Sequence, residues 1–516
     1  MFDALFTTTT EYKKLSHALS GKGACALFGL PASGRAQVYA ALCRQLDKPL
    51  CIVTPGEAEA TRFAADLNTL GIPAAVFPAR DYVLRPIEGT AREYEYRRLA
   101  VLGELVGGRL RAVAVPAEAL TQFTTPKEDF CANTRTLHAG DTLLRDDLLA
   151  ALFGAGYTRR AQVDGPGQFS VRGDIVDIFA PDQKMPVRME FWGDEIDTLH
   201  TFDLTTQRRE DAIDKFYLSP AREVLFGKPA DAAEQLRAFL AKQRGKKKTA
   251  MADCMAADLD LLDGGAVPVN MDKYLAVRYP HPATVLDYFD DPILVAEEPA
   301  SIREADRATA YRRGEELKSL ILDGVLCAGL DNLYADPSYL WSKTGHYRTI
   351  CAENFARSMP DQPLKDIINA PAHTLPAWNG EVAGLLEDLK PLCDAGYTVT
   401  LLAGTDRAAA GLARDLRDKG ILVTTDAAAA PAAGLVQVLA GHLSAGCEFP
   451  FAKYALLTGR AFGETSSQKK KRKKAKDALN SLTEITPGDL VVHQNHGIGR
   501  YAGIQRMAVQ GLTKDY

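Results

Sequence analysis

Near the start of the chain the sequence reads Ala24-Cys25-Ala26-Leu27-Phe28-Gly29-Leu30-Pro31-Ala32-Ser33-Gly34-Arg35-Ala36. The apolar residues up to Phe28 predict a buried strand, and the residues from Gly29 to Ala36 have the spacing of the phosphate loop G-x-x-x-x-G-K-[ST]. A loop of this kind joins a strand to the helix that covers the sheet. The segment therefore predicts the first strand, loop and helix of a parallel α/β sheet.

The same alternation of short apolar runs and helical patterns continues to about residue 125. After the first strand, further strands are predicted at residues 50–54, 74–77 and 112–115. The helices between the strands are predicted at residues 37–46, 57–70 and 91–106. This layout is typical of a nucleotide-binding fold.

Changes of pattern further along the chain predict a multidomain α/β protein. The apolar run Ile293-Leu294-Val295 is expected to add a strand to the first sheet. The expected domains are residues 1–125 as the first part of the nucleotide fold, 126–213 as an inserted α+β module, 214–345 as the second part of the nucleotide fold, 346–455 as a second α/β domain, 456–482 as a basic linker, and 483–516 as the start of a small β domain.

Elements inside the later domains follow from the same patterns. The inserted module is expected to contain a helix at residues 143–153 followed by strands. The second α/β domain is expected to have strands at 398–403, 421–424 and 435–439 around a helix at 408–419.

The composition is that of a globular protein in a reducing compartment. The chain has 516 residues, of which 46% are hydrophobic and 25% charged, and its formal net charge of -5 excludes a protein that is basic throughout. The nine cysteines contain no C-x-x-C pair, which favours a cytoplasmic protein without disulfides. The first residues show no secretory signal, and no membrane contact is expected.

The phosphate loop has lost groups that bind nucleotide. Ala36 has no hydroxyl for Mg²⁺, Arg35 replaces the compact lysine by a wide planar guanidinium, and Pro31 removes one backbone N–H. We therefore interpret Gly29, Gly34 and Arg35 as a degenerate phosphate loop, although backbone amides at the helix start could still attract an anion.

The second half of a working ATPase site would be an Asp-Glu pair after an apolar strand. Here the strand that begins at Ile293 leads into Ala296-Glu297-Glu298-Pro299, which lacks the aspartate. We find no Ser-His-Asp set, no activated cysteine and no metal-ligand spacing, and turn roles are favoured over metal binding for His493 and His496. No catalytic residue, metal site or cofactor is therefore predicted in this chain.

Two segments of the inserted module predict an exposed face. In Val187-Arg188-Met189-Glu190-Phe191-Trp192 the apolar residues alternate with the others, so Arg188 and Trp192 are expected to point away from the core. The segment Gly167-Gln168-Phe169-Ser170-Val171-Arg172-Gly173-Asp174-Ile175-Val176-Asp177-Ile178-Phe179 is interpreted as one strand with Arg172 and Asp174 on the outer face. With a turn near Gln183, Asp174 would pair opposite Trp192.

The predicted outer patch of Arg172, Arg188 and Trp192 has two possible explanations. Arginine and tryptophan carry binding energy at protein interfaces, which favours a partner-binding face. The alternative is that the two arginines pair with Asp174 and Glu190 and that Trp192 is an ordinary exposed aromatic.

The run Lys469-Lys470-Lys471-Arg472-Lys473-Lys474 also has two explanations. Lys470, Arg472 and Lys473 could contact a nucleic-acid backbone. No aromatic residue interleaves for base stacking, so a solvated linker is favoured.

Taken together, these segments resemble the N-terminal half of the bacterial transcription-repair coupling factors. Residues 1–125 and 214–345 resemble, in degenerate form, the RecA-like, helicase-like nucleotide fold of the excision-repair subunit UvrB. Gly167 to Phe179 matches the pattern G-[QE]-[FY]-[SA]-x-R-G-[DG]-I-[VL]-D-[IV]-[FY] of UvrB's UvrA-binding domain. Gly488 to Tyr501 resembles the CarD-like RNA-polymerase-interacting domain, an SH3-like barrel, which UvrB lacks.

The resemblance implies a non-catalytic adaptor in transcription-coupled nucleotide excision repair. It places UvrA binding at Arg172, Arg188 and Trp192, and contact with the RNA polymerase β subunit near Ile504, Arg506 and Met507. The family's motor domains, which use ATP and Mg²⁺ to move along double-stranded DNA, would follow Tyr516, so we expect a fragment. The alternatives are a UvrB-like damage-processing ATPase and a CarD-like transcription regulator.

Overall fold

The structure, a computed structural model, describes residues 3–87, 92–355, 359, 362–378, 380–430, 432–459, 490–493, 497–500, 506–509 and 512–515. The chain divides into two compact units, Met1–Arg460 and Ala461–Tyr516. None of the helices in the described part combines the length and the apolar character that crossing a bilayer requires.

The α-helices of the described residues are numbered in chain order. They are α1 (Asp3–Thr7), α2 (Thr10–Ala18), α3 (Ala32–Leu46), α4 (Glu57–Thr69), α5 (Glu93–Val106), α6 (Ala117–Leu120), α7 (Lys127–Ala132), α8 (Arg145–Gly154), α9 (Pro229–Ala241), α10 (Gly245–Asp263), α11 (Leu275–Arg278), α12 (Pro299–Leu322), α13 (Tyr339–Lys343), α14 (Val382–Asp394) and α15 (Asp406–Asp418).

The strands are numbered in the same way. They are β1 (Gly23–Phe28), β2 (Leu50–Thr54), β3 (Ala74–Val76), β4 (Ala112–Pro116), β5 (Arg135–His138), β6 (Thr158–Arg159), β7 (Gln168–Arg172), β8 (Ile175–Phe179), β9 (Val187–Trp192), β10 (Glu195–Phe202), β11 (Arg209–Ala212), β12 (Lys215–Leu218), β13 (Ile293–Glu297), β14 (Arg348–Glu353), β15 (Leu364–Asn369), β16 (His373–Leu375), β17 (Thr398–Leu402), β18 (Val423–Thr424), β19 (Val436–Leu439), β20 (Gly446–Phe449), β21 (Tyr454–Thr458), β22 (Leu490–His493), β23 (Gly497–Arg500), β24 (Arg506–Val509) and β25 (Leu512–Asp515).

The first sheet has seven strands in the order β15-β1-β14-β13-β2-β4-β3, and its neighbouring strands are parallel. Its central strands are apolar on both faces because helices cover both sides. Leu27 belongs to the core on one side, whereas Ala26 and Phe28 belong to the core on the other. The predicted parallel α/β sheet is confirmed, and Ile293 to Val295 form part of it as expected.

The domain boundary expected at residue 345 is wrong. β14 lies between β1 and β13, and β15 pairs with the other side of β1, so both strands belong to the first sheet. Their pairing partners lie more than three hundred positions away in β1, and such long-range pairing leaves no local signal in the sequence. The second α/β domain therefore begins after β15.

The inserted module is built on a six-stranded sheet with the order β11-β10-β9-β8-β7-β6. One face packs against α8 through Leu148 and Leu152, which share a core with Phe169 and Met189. β5 and β12 form a separate two-stranded sheet. The expected α+β character is confirmed.

The segment Gly167 to Phe179 is two strands and not the single strand expected. β7 and β8 are antiparallel and are joined by a two-residue turn in which Gly173 has φ +61°. A glycine at this position allows a turn that matches the twist of the flanking strands. The register of β8 against β9 also differs from the expected pairing of Asp174 opposite Trp192: Asp177 lies opposite Arg188, and the Phe191 N–H donates to the Asp174 carbonyl at 2.9 Å.

Buried ion pairs join the first sheet, the end of the inserted module and the helical part. Arg98 is fully buried, and its Nε donates to Glu223 at 2.6 Å. Arg80 donates to Asp272 at 2.7 Å, and its Nε also lies 3.3 Å from Glu223. The inserted module extends past the boundary expected at residue 213, because β12 pairs with β5. Glu223 follows β12, so this network fixes the end of the module to the rest of the unit.

The helical part and the second α/β domain complete the first unit. α9, α10 and α12 contribute to a common core. The second α/β domain has a sheet with the order β16-β20-β21-β17-β19-β18, covered by α14 and α15. Its predicted strands and helix are confirmed. In the second unit, β22 pairs with β23 and β24 pairs with β25, both antiparallel.

Candidate functional site

Trp192 is the most exposed large apolar residue in the described part of the chain, with 81% of its surface accessible. It is the last residue of β9, where Val187, Met189 and Phe191 are buried. Its partner across the hairpin is Glu195 of β10. The strand alternation predicted this exposure correctly, because one side of β9 faces the core.

Arg172 ends β7 at the same end of the sheet. It is exposed, and its Nη2 donates to the Ala161 carbonyl at 3.2 Å. Across the tight turn it pairs with Ile175 of β8. Arg172 has no ion-pair partner among the described residues, so its charge is available to a ligand.

Arg188 lies on the expected side of the sheet but is not free in solvent. Only 14% of its side chain is accessible. Its guanidinium donates to both carboxylate oxygens of Asp177 at 2.7 and 2.9 Å and to the Gln207 carbonyl at 3.2 Å, and it lies 4.8 Å from the Phe202 ring centre. The hydrogen bonds to Asp177 raise the pKa of Arg188. Arg188 is therefore part of the module's packing.

The ion pairs considered from the sequence do not form. Glu190 pairs with Arg209, and Asp174 lies 3.7 Å from Arg145. Arg145 is a residue that the sequence reasoning missed: its Nη1 also donates to the Gly173 carbonyl at 2.9 Å. Arg145 is the first residue of α8 and is distant from Arg172 in sequence. Its contact with the β7–β8 turn is therefore visible only in the tertiary structure.

The two halves of the degenerate phosphate site meet in the structure. The Nε of Arg35 lies 3.2 Å from Glu297, and both its terminal nitrogens donate to Glu298 at 2.9 Å. The Tyr39 hydroxyl donates to Glu297 at 2.5 Å. Burial raises the pKa of Glu297, and the charge of Arg35 opposes that rise. An internal ion pair thus lies at the start of α3, where a phosphate loop would hold an anion.

The glycines of this loop have packing roles. Gly29 has φ +86°, a conformation that favours glycine. A Cβ on Gly34 would lie 2.8 Å from the Sγ of Cys447 in β20. Ser33, Arg35 and Ala36 are each at most 3% exposed. The start of α3 from Ser33 onward is therefore buried, whereas Gly29, Pro31 and Ala32 of the loop are half-buried.

The remaining predicted sites lie in or near the second unit. Lys470, Arg472, Lys473 and Ile504 lie outside the described residues. Arg506 and Met507 are in β24, where they pair with Asp515 and Lys514 of β25. Among residues that the structure describes, no group of three or more histidine, cysteine or acidic side chains is arranged to hold a metal ion.

Two segments of the chain match known domain families. Residues 136–224 match the UvrB interaction domain, and residues 485–516 match the CarD-like/TRCF RID domain. The first match covers β5 to β12 and includes Arg172, Arg188 and Trp192. The chain thus combines a UvrB-type interaction domain with a CarD-like domain.

Curated relatives match across nearly the whole chain. The transcription-repair-coupling factor of Bacillus subtilis (strain 168) is 27% identical over 505 residues, which is 95% of this chain and 43% of that protein. The coupling factors of Staphylococcus haemolyticus (strain JCSC1435) and Staphylococcus aureus (strain MRSA252) are 26% and 24% identical, each over 95% of this chain.

The chain spans less than half the length of these relatives. It fits the N-terminal half of a transcription-repair-coupling factor, so the resemblance seen in the sequence is confirmed.

Proposed function

We propose that this chain acts in transcription-coupled nucleotide excision repair as a non-catalytic adaptor that recruits UvrA. The inserted module provides the UvrA-docking face. The observation that carries this proposal is Trp192, which is 81% exposed at the end of a hairpin within the segment that matches the UvrB interaction domain.

The chemistry of the face suits a protein partner. A tryptophan buries a large area on binding, and an exposed arginine adds directional donors. Arg172 offers such donors beside the β7–β8 turn. Arg188 acts as a positioning residue, because its ion pair with Asp177 fixes β8 and β9 beneath the face.

Nucleotide chemistry is not expected from the first sheet. We propose that it is a RecA-like, helicase-like fold in which the Arg35–Glu297 pair replaces the bound phosphate. Glu297 and Glu298 already hold the Arg35 guanidinium, so its charge is not free to face a phosphate, and the buried start of α3 leaves little room for one. The alternative of a UvrB-like ATPase is therefore not favoured, and ATP and Mg²⁺ are assigned to motor domains of the intact protein.

The C-terminal segment is proposed to contact RNA polymerase. It matches the CarD-like/TRCF RID domain, and we assign to it the start of an SH3-like barrel that meets the β subunit around Ile504, Arg506 and Met507. In the intact protein, the motor domains would act on double-stranded DNA, with Lys470, Arg472 and Lys473 as further candidate contacts. We place the protein in the cytoplasm.

Binding to purified UvrA tests the docking proposal. The variants Trp192→Ala and Arg172→Ala are each expected to raise the Kd for UvrA at least about tenfold, the range of an interface hot spot. Tyr311→Ala serves as the matched control, because Tyr311 is 75% exposed on α12, outside the module. Unchanged affinity in both module variants would refute the assignment.

A further inference from the structure

A second exposed arginine, Arg160, continues the edge strand of the inserted module. β6 is the edge strand beside β7, and the two strands are parallel, with Arg159 opposite Phe169. The Thr158 N–H donates to the Gly167 carbonyl at 2.9 Å. The Arg160 N–H donates to the Phe169 carbonyl at 2.8 Å, so the same ladder extends one residue past the end of β6. Arg160 therefore occupies the next position of a regular strand.

The side chain of Arg160 points to the outer face of the six-stranded sheet, which is the face opposite α8. Phe169 packs in the core that α8 covers. Arg159 shares the side of Phe169, because the two residues are register partners in a parallel pair. Successive side chains of a strand point to opposite faces, so Arg160 points away from α8. The exposure of Arg160 agrees with this placement.

Cross-strand pairs on the outer face connect this edge of the sheet to Trp192. Arg172 pairs with Ile175 of β8, and Ile175 pairs in turn with Glu190 of β9. Trp192 is two residues beyond Glu190 and follows Phe191, which lies in the core under α8. Alternation along β9 therefore puts Trp192 and the row that begins at Arg172 on the same face. One continuous face runs from the β6–β7 edge to Trp192.

Arg160 and Arg172 are close enough to bind one group. Arg160 aligns with Ser170 of β7, so the two arginines lie on neighbouring strands with an offset of two residues. The spacing and rise of strands place their Cα atoms about 8 Å apart, a diagonal at which long side chains interact. The Nη2 of Arg172 also reaches toward β6, where it donates to the Ala161 carbonyl at 3.2 Å. Both guanidinium groups can therefore contact the same ligand.

The charges of these two arginines are not compensated by the described residues. Neither arginine forms an ion pair with any of them. The carboxylate of Asp177 on this face is held by Arg188. The carboxylate of Glu190 is held by Arg209. Two neighbouring positive charges without a carboxylate between them attract an anionic group. The β6–β7 edge is therefore complementary to a carboxylate on a partner.

We propose that Arg160 is a second basic contact for UvrA, and that Arg160 and Arg172 together bind one carboxylate of UvrA. This inference rests on the proposed docking of UvrA by the module. The guanidinium group presents a planar fork of N–H donors that matches a carboxylate, and the two oxygens can accept from both arginines. UvrA would then place an acidic side chain beside the surface that receives Trp192.

Two neighbouring arginines on opposite faces of one strand provide the test. Arg160→Ala is expected to raise the Kd of the 516-residue chain for purified UvrA about fivefold. Arg159→Ala is the matched control, because Arg159 is also exposed and removes the same charge but lies on the other side of β6. It is expected to change the Kd by less than about twofold. The midpoint of thermal unfolding should be the same in both variants, which shows that the module remains folded.

A double-mutant cycle tests the shared carboxylate. If both arginines bind one group, the increase in Kd in Arg160→Ala/Arg172→Ala is smaller than the product of the two single increases. An increase equal to that product would mean that the arginines act on separate groups, and the shared carboxylate would be overturned.

The outcomes distinguish this inference from the docking function. If Trp192→Ala raises the Kd and Arg160→Ala does not, the inference is overturned while the docking function stands. If Trp192→Ala, Arg172→Ala and Arg160→Ala all leave the Kd unchanged, the docking function fails and the inference fails with it. If Arg159→Ala raises the Kd as much as Arg160→Ala, the effect comes from the overall charge of the module, and the contact at Arg160 is refuted.

Discussion

Arg188 and Asp177 lie opposite each other on β9 and β8, and the guanidinium donates to both oxygens of the carboxylate at 2.7 and 2.9 Å. Asp177 is only 2% exposed, so its charge depends on Arg188 for compensation. The pair lies on the sheet face opposite the α8 core. It therefore links the folding of the module to the placement of the proposed docking face.

Replacing Arg188 is expected to destabilise the module. Arg188→Ala leaves the buried carboxylate unpaired, and the free energy of unfolding should fall by about 3 kcal/mol in urea denaturation. The control Arg172→Ala removes an exposed arginine and should change stability by no more than about 0.5 kcal/mol. Equal stability of the two variants would contradict the packing role of Arg188.

The internal ion pair at the degenerate phosphate loop predicts that restoring the motif does not restore nucleotide binding. In Arg35→Lys/Ala36→Thr the loop regains its consensus groups, but Glu297 remains buried beside them. Titration with a fluorescent ATP analogue should show no saturable binding. The same two changes combined with Glu297→Gln remove the buried carboxylate that pairs with residue 35, and this variant is expected to bind the analogue more tightly than Arg35→Lys/Ala36→Thr alone. Tight binding by Arg35→Lys/Ala36→Thr alone would disprove the blocking role of Glu297.

The sequence predicted those features that depend on local periodicity. The exposure of Trp192 follows from the alternation in β9, and the first strands and helices follow from their apolar patterns. The turn at Gly173 was missed because Val171, Ile175 and Phe179 are spaced as they would be on one face of a continuous strand. Centring the turn between β8 and β9 at Gln183 set their register one residue off, which concealed the pairing of Arg188 with Asp177.

Other features depend on contacts between distant parts of the chain. Arg35 and Glu298 are 263 positions apart, and nothing near either residue indicates that they meet. β14 lies between β1 and β13 in the first sheet, although more than three hundred residues separate it from β1 in the chain. Arg145 likewise reaches the β7–β8 turn through tertiary packing alone, so the strand pattern predicted the exposed Arg172 and Trp192 but not Arg145.

Gly34 is expected to be required for the contact between α3 and β20. In Gly34→Ala the new Cβ would lie 2.8 Å from the Sγ of Cys447, so the helix gains propensity but the contact is overpacked. Thermal denaturation should show a net loss of about 1–2 kcal/mol. Cys447→Ala in the same background should recover most of the loss. If Gly34→Ala alone were as stable as the parent protein, β20 would have to move away from the new Cβ without any loss of stability.

Asp306 on α12 predicts a pH-dependent stability. Burial raises the pKa of its carboxyl from 3.8 to about 6, against the opposing charge of Arg313. The folded state therefore holds the proton more tightly than the unfolded state, and stability falls as pH rises from about 4 to about 6. Asp306→Asn should be more stable than the parent by about 2 kcal/mol at pH 7.5, with no advantage below pH 3.5. Urea denaturation of both proteins at pH 7.5 and below pH 3.5 measures the difference in the free energy of unfolding. If that difference is the same at the two pH values, Asp306 is not the source of the pH dependence.

Arg172 and Trp192 are expected to affect UvrA binding through different rate constants. Arg172 is an exposed, unpaired charge in the described part of the module, so Arg172→Ala should slow association and reduce its dependence on salt between 50 and 300 mM. Trp192 contributes contact area, so Trp192→Ala should mainly speed dissociation, by about tenfold or more. Surface plasmon resonance with immobilised UvrA separates the two effects. If Trp192→Ala altered only the salt-dependent association rate, Trp192 would not be an anchor of the interface.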